Sequence, residues 1–71
     1  MVTSIRVTVP DDRGTYEAQL LEDGETVFIT LEGCYVGQGY WEHGRLDVWD
    51  RLLPLDVRVR LDVALRAALT K

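Results

Sequence analysis

The sequence contains one cysteine, one histidine and no asparagine among its 71 residues. A single cysteine excludes an intrachain disulfide, which secreted chains of this length normally use to stabilise a small core. A structural zinc site needs four ligands, and Cys34 and His43 supply one sulfur and one imidazole. The composition therefore predicts neither a disulfide nor a metal site.

Long apolar runs are missing as well. No stretch approaches the roughly eighteen consecutive apolar residues that a membrane-spanning helix needs. The first six residues, Met-Val-Thr-Ser-Ile-Arg, show no basic stretch followed by an apolar run, so they do not form a signal-peptide pattern. Together with the lone cysteine, these absences predict a cytoplasmic protein without a membrane partner.

Positive charge is scarce and unevenly placed. Eight basic residues against twelve acidic residues give a net charge of −4, and residues 1–50 alone, with three arginines against ten carboxylates, carry −7. Nucleic-acid binding needs a basic face, so the charge argues against a nucleic-acid partner. An acidic surface suits a protein partner with a basic surface. The alternative is that these carboxylates only keep the turns and strand edges soluble and unpaired.

The size predicts a single domain over residues 1–71. Apolar residues make up 46% of the chain, which is enough to build one core, but a domain this small buries only about 60% of its unfolded surface. A thin core argues against a deep catalytic pocket. The sequence predicts a protein that is not an enzyme.

Residues 3–49 predict an antiparallel meander of four or five strands. Apolar and polar residues alternate with a period of two in segments that short turns separate. Pro10 is expected to end the first strand, and Asp23-Gly24 is the strongest hairpin signal because both residues tolerate positive φ. The predicted strands cover about residues 5–9, 16–20, 26–31, 34–41 and 46–49.

The last third of the sequence fits two structures. Residues 55–63 alternate with a period of two, which by itself predicts a strand. However, Val57, Leu61 and Leu65 share one helical face, and opposite charges recur four residues apart, as at Asp56 and Arg60. We therefore predict a helix over about residues 55–69 that covers one face of the sheet, giving an α+β fold.

The reactive side chains have no predicted partners. His43 precedes Gly44 in a predicted turn, where an exposed position is expected, and Cys34 is expected to be a small buried hydrophobe. Gly37-Gln38-Gly39 matches the first half of a dinucleotide-binding fingerprint, but Glu42 replaces the third glycine and no helix follows. No catalytic residue and no cofactor are predicted.

Strand alternation suggests one further surface. A regular strand would place Tyr35 and Trp41 on one face, with the two glycines between them leaving a shallow gap. Such a gap can receive a partner's side chain or a ligand ring, or the two glycines can mark a bulge or a bend of the strand around its own core. The second functional hypothesis is a small-ligand or nucleic-acid-binding β module that uses this surface.

The leading hypothesis is a non-enzymatic module that binds another protein, as a regulator, an inhibitor or an accessory subunit. Val59 and Val63 lie opposite the core face of the predicted helix and suggest a docking surface or a homodimer. The candidate partner-binding residues are Phe28, Tyr35, Trp41, Trp49, Glu22, Asp23, Glu25, Val59 and Val63. In size and acidity the chain resembles small phage-borne inhibitor proteins, anti-CRISPR proteins among them, a resemblance of class that rests on no motif.

Overall fold

The structure is a computed structural model that describes residues 4–48 and 53–70. Five antiparallel strands form one sheet in the order β1-β2-β3-β4-β5, and one helix follows. The α+β prediction is confirmed, including the helix. The elements are β1 (Ile5–Asp11), β2 (Gly14–Leu20), β3 (Thr26–Leu31), β4 (Cys34–Glu42), β5 (Arg45–Val48) and α1 (Leu55–Leu69).

Three of the four hairpins have two-residue loops, at Asp12-Arg13, Glu32-Gly33 and His43-Gly44. Glu32-Gly33 and His43-Gly44 both have positive φ at each residue, as in type I′ turns, whose twist matches that of the flanking strands. The hairpin at Asp23-Gly24 is present, but only Gly24 has a positive φ there, 75°, and the turn covers residues 21–25. The hairpin prediction is confirmed, and of the two residues that tolerate a positive φ only the glycine adopts one.

Pro10 does not end the first strand. Strand β1 continues to Asp11, and Pro10 lies opposite Thr15 in the register of β1 and β2. Because β1 is the outermost strand of the sheet, a residue without an N–H can be accommodated there without losing a ladder bond.

The core lies between one face of the sheet and α1. Val57, Leu61 and Leu65 of the helix are fully buried, as are Val27 and Ile29 of β3. The helix packs mainly against β1 and β5, which are the two edge strands. The sheet therefore curls around the helix, and the face of the sheet away from the helix is left to solvent.

Polar side chains of α1 bind backbone atoms at both edges of the sheet, in β1 and in β5. The Nη1 atom of Arg60 donates to the carbonyl of Pro10 in β1 at 2.9 Å. Asp62 accepts the backbone N–H of Leu46 in β5 at 2.7 Å. These bonds occupy edge groups that would otherwise be open to pairing with another chain.

The predicted ion pair between Asp56 and Arg60 is present at 3.1 Å. Arg60 also binds the carboxylate of Asp11 at 2.8 Å, across 49 positions of sequence. The bond from Arg60 lowers the pKa of Asp11, because a hydrogen bond from the guanidinium favours the ionised carboxylate.

Candidate functional site

A β-bulge in β4 separates the two aromatic residues that the sequence placed on one face. Ile29 pairs with Gly37 and Thr30 pairs with Tyr35, so Val36 has no partner in β3. The extra residue reverses the alternation, and Tyr35 lies on the outer face while Trp41 packs against the core. The prediction of a single surface bounded by these two rings is wrong.

The glycines of β4 do not leave an open gap. Gly39 is buried, and a methyl group built on it would overlap the backbone carbonyl oxygen of Asp47 in β5. The absence of a side chain therefore allows β4 and β5 to approach each other closely, which is a usual reason for a glycine inside a strand. The space that the sequence suggested for a ligand is filled by the chain itself.

The outer face of the sheet carries an exposed pair of rings, Phe28 and Tyr35, which we call the aromatic patch. Phe28 is 37% exposed and Tyr35 is 62% exposed. Their ring centroids lie 6.1 Å apart at an interplanar angle of 77°, an edge-to-face arrangement. The rings support each other and leave the face of the patch to solvent.

An acidic cleft lies on the same side of the molecule. Its volume is about 270 Å³, and it combines two aromatic residues with three carboxylates. Tyr40 lies two residues beyond Gln38, which pairs with Phe28, so the cleft adjoins the aromatic patch. The lining residues are Glu25, Tyr40, Trp41, Glu42 and Asp47. The side chain of Trp41 packs against the core, so Tyr40 is the aromatic residue that the cleft presents beside the carboxylates, an arrangement that favours a cationic side chain.

Of the three acidic residues predicted to bind a partner, Glu22, Asp23 and Glu25, Asp23 has a structural role. Its carboxylate accepts the backbone N–H groups of Glu25 and Thr26 at 2.8 and 2.9 Å, and the Thr26 hydroxyl at 2.7 Å. The hydrogen bond from the Thr26 N–H, followed by that from Glu25, lowers the pKa of Asp23. Glu22 and Glu25 are exposed, and of these two only Glu25 lines the cleft.

Cys34 is exposed, so the prediction of a buried cysteine is wrong. It is the first residue of β4, directly after the turn at Glu32-Gly33, where the cover provided by α1 does not reach. His43 is exposed in its turn, as predicted. Within residues 4–48 and 53–70 no three His, Cys, Asp or Glu side chains are arranged to hold a metal ion.

The helix carries the second exposed apolar surface, as the sequence predicted. Leu55, Val59 and Val63 follow each other at intervals of four residues, and their exposed fractions are 67%, 53% and 57%. We call these three residues the helix stripe. Trp49, the remaining predicted partner-binding residue, lies outside the described residues.

Comparison with known proteins gave no match to a protein family, to a curated protein or to a solved structure. The part of the chain that the structure describes contains no helix of the length and apolar character that a bilayer crossing requires.

Proposed function

We propose that this chain is a non-enzymatic binding module that acts by contact with another protein, as a regulator, an inhibitor or an accessory subunit. The partner surface would be basic and would dock on the outer face of the sheet. The observation that supports this proposal most directly is the exposed edge-to-face pair of Phe28 and Tyr35.

The aromatic patch supplies the apolar part of such a contact. Tyr and Phe are enriched at protein interfaces, because a large rigid ring buries much area and loses little conformational entropy. The patch lies opposite the helix, so the fold does not need its further burial. A partner that covers both rings would remove this apolar surface from water.

The acidic cleft supplies the charge. Glu25, Glu42 and Asp47 surround Tyr40 at one end of the patch. An arginine or lysine of a partner can place its cation among these carboxylates while its aliphatic stem lies along the rings. The net charge of −7 over residues 1–50 would also attract a basic surface over a longer range.

The experiment uses a capped arginine-rich peptide as the probe and the ¹⁵N-labelled chain as the receptor. We expect peptide-induced shifts to concentrate on the outer residues of β3 and β4. The affinity should fall as salt rises, because exposed charges are screened beyond about 8–10 Å at physiological ionic strength. A glutamate-rich peptide should cause no shifts on this face.

The matched variants are Phe28→Ser and Val59→Ser, which each shorten one exposed apolar side chain on a different surface. Phe28→Ser should weaken peptide binding about tenfold, the loss of roughly 1.4 kcal/mol that truncating an interface ring typically causes. Val59→Ser should bind like the wild type. Equal binding by both variants, or binding that salt does not change, would contradict the proposal.

The charge is tested separately with Glu25→Lys/Glu42→Lys. Asp23 is left unchanged in this variant, because its carboxylate holds the hairpin and its replacement would change the fold as well as the charge. The double reversal should reduce the affinity for the arginine-rich peptide more than Phe28→Ser does at low salt. At high salt the double reversal should approach wild-type binding, whereas Phe28→Ser should remain about tenfold weaker.

A further inference from the structure

A groove of about 320 Å³ runs between β5 and α1, away from the outer face of the sheet. One wall is the strand segment Arg45–Val48 and the other is the helix. Leu55 and Val59 of the helix stripe form part of the lining, and both are more than half exposed. The charged lining residues are Arg45, Asp47, Arg58, Asp62 and Arg66.

The charge of this groove is opposite to that of the chain. Its three arginines outnumber its two carboxylates, which leaves the groove with a net positive charge, whereas the whole chain carries −4. Asp62 is already engaged, because its two oxygens bind the Leu46 N–H and Arg66. Both oxygens of Asp62 therefore already have partners, and Asp62 does not form an ion pair with Arg45 or Arg58.

Two of the three arginines have no anionic partner within residues 4–48 and 53–70. Arg13, Arg60 and Arg66 form ion pairs there, whereas Arg45 and Arg58 form none. The Nε atom of Arg58 is buried and has no hydrogen-bond acceptor among the described residues. That atom is enclosed by the chain itself, whereas Arg58 as a whole is half-buried and lines the groove, so a ligand would meet the exposed part of its side chain.

We propose that the groove between β5 and α1 binds an acidic peptide segment of another protein. A carboxylate of that segment would lie between Arg45 and Arg58, since a guanidinium binds a carboxylate through two parallel hydrogen bonds. An apolar side chain next to the carboxylate would pack on Leu55 and Val59. This surface meets the acidic cleft at Asp47, which lines both, but it has the opposite charge preference.

A second copy of this chain fits the groove less well. A two-fold dimer through the groove would place two patches of the same net positive charge against each other, because a two-fold interface joins identical patches. Like charges in an interface disfavour the pairing. The groove therefore selects a partner of opposite charge.

The test titrates the ¹⁵N-labelled chain with a capped peptide of glutamate and leucine, and with the same peptide carrying glutamine in place of glutamate. We expect shifts at residues of the groove with the first peptide only. Arg45→Gln and Arg58→Gln should each weaken binding about tenfold to a hundredfold, the usual loss for a hydrogen bond to a charged group. Arg45 is exposed, so its variant should fold even if Arg58→Gln does not.

Arg6→Gln is the matched control. Arg6 is exposed on β1, makes no ion pair among the described residues and does not line the groove. The Arg6→Gln variant should bind the acidic peptide like the wild type.

Three results would overturn the proposal: equal binding of the glutamate and glutamine peptides, equal losses in Arg6→Gln and Arg45→Gln, or self-association that Arg45→Gln abolishes. The last result would identify a second copy as the occupant. None of these results depends on the arginine-rich peptide that tests the outer face.

Discussion

Asp62 of the helix accepts the backbone N–H of Leu46 in the edge strand β5 at 2.7 Å. A carboxylate on a neighbouring helix therefore takes the place of the carbonyl that a sixth strand would supply. The other oxygen of Asp62 binds Arg66 one turn later at 2.8 Å, and Arg66 reaches the carbonyl of Gly44. The C-terminal half of α1 is thus fastened to the β4–β5 hairpin by polar bonds as well as by apolar packing.

The first prediction follows from this bond. Asp62→Ala should lower the free energy of unfolding by about 1–3 kcal/mol, because it leaves the partly buried Leu46 N–H without an acceptor. Asp62→Asn keeps an acceptor oxygen and should cost less. Urea denaturation measures the loss, and faster hydrogen exchange at the Leu46 amide locates it. An equal loss in the two variants would show that the ion pair with Arg66, and not the bond to Leu46, is the important contact.

The second prediction concerns Gly39. A methyl group at this position would overlap the Asp47 carbonyl, so Gly39→Ala should separate β4 from β5 and cost about 1–3 kcal/mol, as overpacking usually does. Gly24→Ala is the control, because a methyl group there meets no atom within 4 Å and only its φ of 75° is unfavourable.

Backbone chemical shifts distinguish the two glycine variants. Gly39→Ala should shift the amides of β5 and of the helix residues that pack on it. Gly24→Ala should change only residues 21–26. Unchanged β5 shifts in a stably folded Gly39→Ala variant would mean that the two strands have room for a side chain.

The local pattern of the sequence was sufficient to predict the elements of the fold. Alternation and turn residues predicted four or five strands, and the spacing of Val57, Leu61 and Leu65 predicted the helix against a competing period of two. The glycines allowed for a bulge in β4, but its position at Val36 was not predictable, because an unpaired residue depends on the partner strand and leaves no period of its own. Because this extra residue shifts the alternation of β4, Tyr35 lies on the opposite face from the one that a regular strand predicts.

The third prediction concerns acid stability. Hydrogen bonds from Arg60 to Asp11, and from the Thr26 and Glu25 N–H groups to Asp23, lower the pKa of both carboxyls in the folded chain. A carboxyl with a lower pKa in the folded state than in the unfolded state stabilises the fold above its unfolded value of about 3.9. That contribution is lost as the pH falls through the folded value.

The free energy of unfolding should therefore fall steadily below about pH 4 to 5. Asp11→Asn and Asp23→Asn should each flatten this dependence. Arg60→Gln should flatten the pH dependence as Asp11→Asn does. The double variant Asp11→Asn/Arg60→Gln should flatten it little further, because both substitutions remove the same bond. Urea denaturation at several pH values provides the measurement. Additive effects of the two substitutions would show that the low pKa of Asp11 has another cause.

The fourth prediction concerns Cys34. Because its side chain is exposed, the thiol should react with a disulfide reagent in the folded chain about as fast as in urea. Cys34→Ser should change the free energy of unfolding by less than about 0.5 kcal/mol. A thiol that reacts only at the rate of global unfolding would mean that Cys34 is covered in solution.

The candidate surfaces were predicted less completely than the fold. Exposure of Val59 and Val63 followed from the helical wheel alone, and the structure confirms it. The contacts that give the arginines their roles join distant parts of the sequence, such as Arg60 with Asp11, and no local pattern indicates them. The groove with Arg45 and Arg58 is likewise formed only when β5 and α1 come together.

The last prediction is the self-association that the sequence suggested for Val59 and Val63. Arg60, the charged residue next to these valines, is already bound to Asp56 and Asp11 within one chain, so the valines would supply most of the attraction. Each fully buried valine contributes roughly 1.5–3 kcal/mol, while association costs at least about 4 kcal/mol of lost freedom. We therefore expect a weak dimer, detectable by light scattering only at high concentration.

Val63→Glu provides the sharpest test, because Val63 belongs to the helix stripe but does not line the groove between β5 and α1. The variant should be monomeric at every concentration, should keep the wild-type free energy of unfolding to within about 0.5 kcal/mol, and should still bind the acidic peptide. Arg45→Gln should leave the weak dimer intact. A wild type that stays monomeric at high concentration would contradict the dimer, and the exposed valines would then be left for a different protein. An unfolded Val63→Glu variant would show instead that the side chain is part of the core, against its 57% exposure.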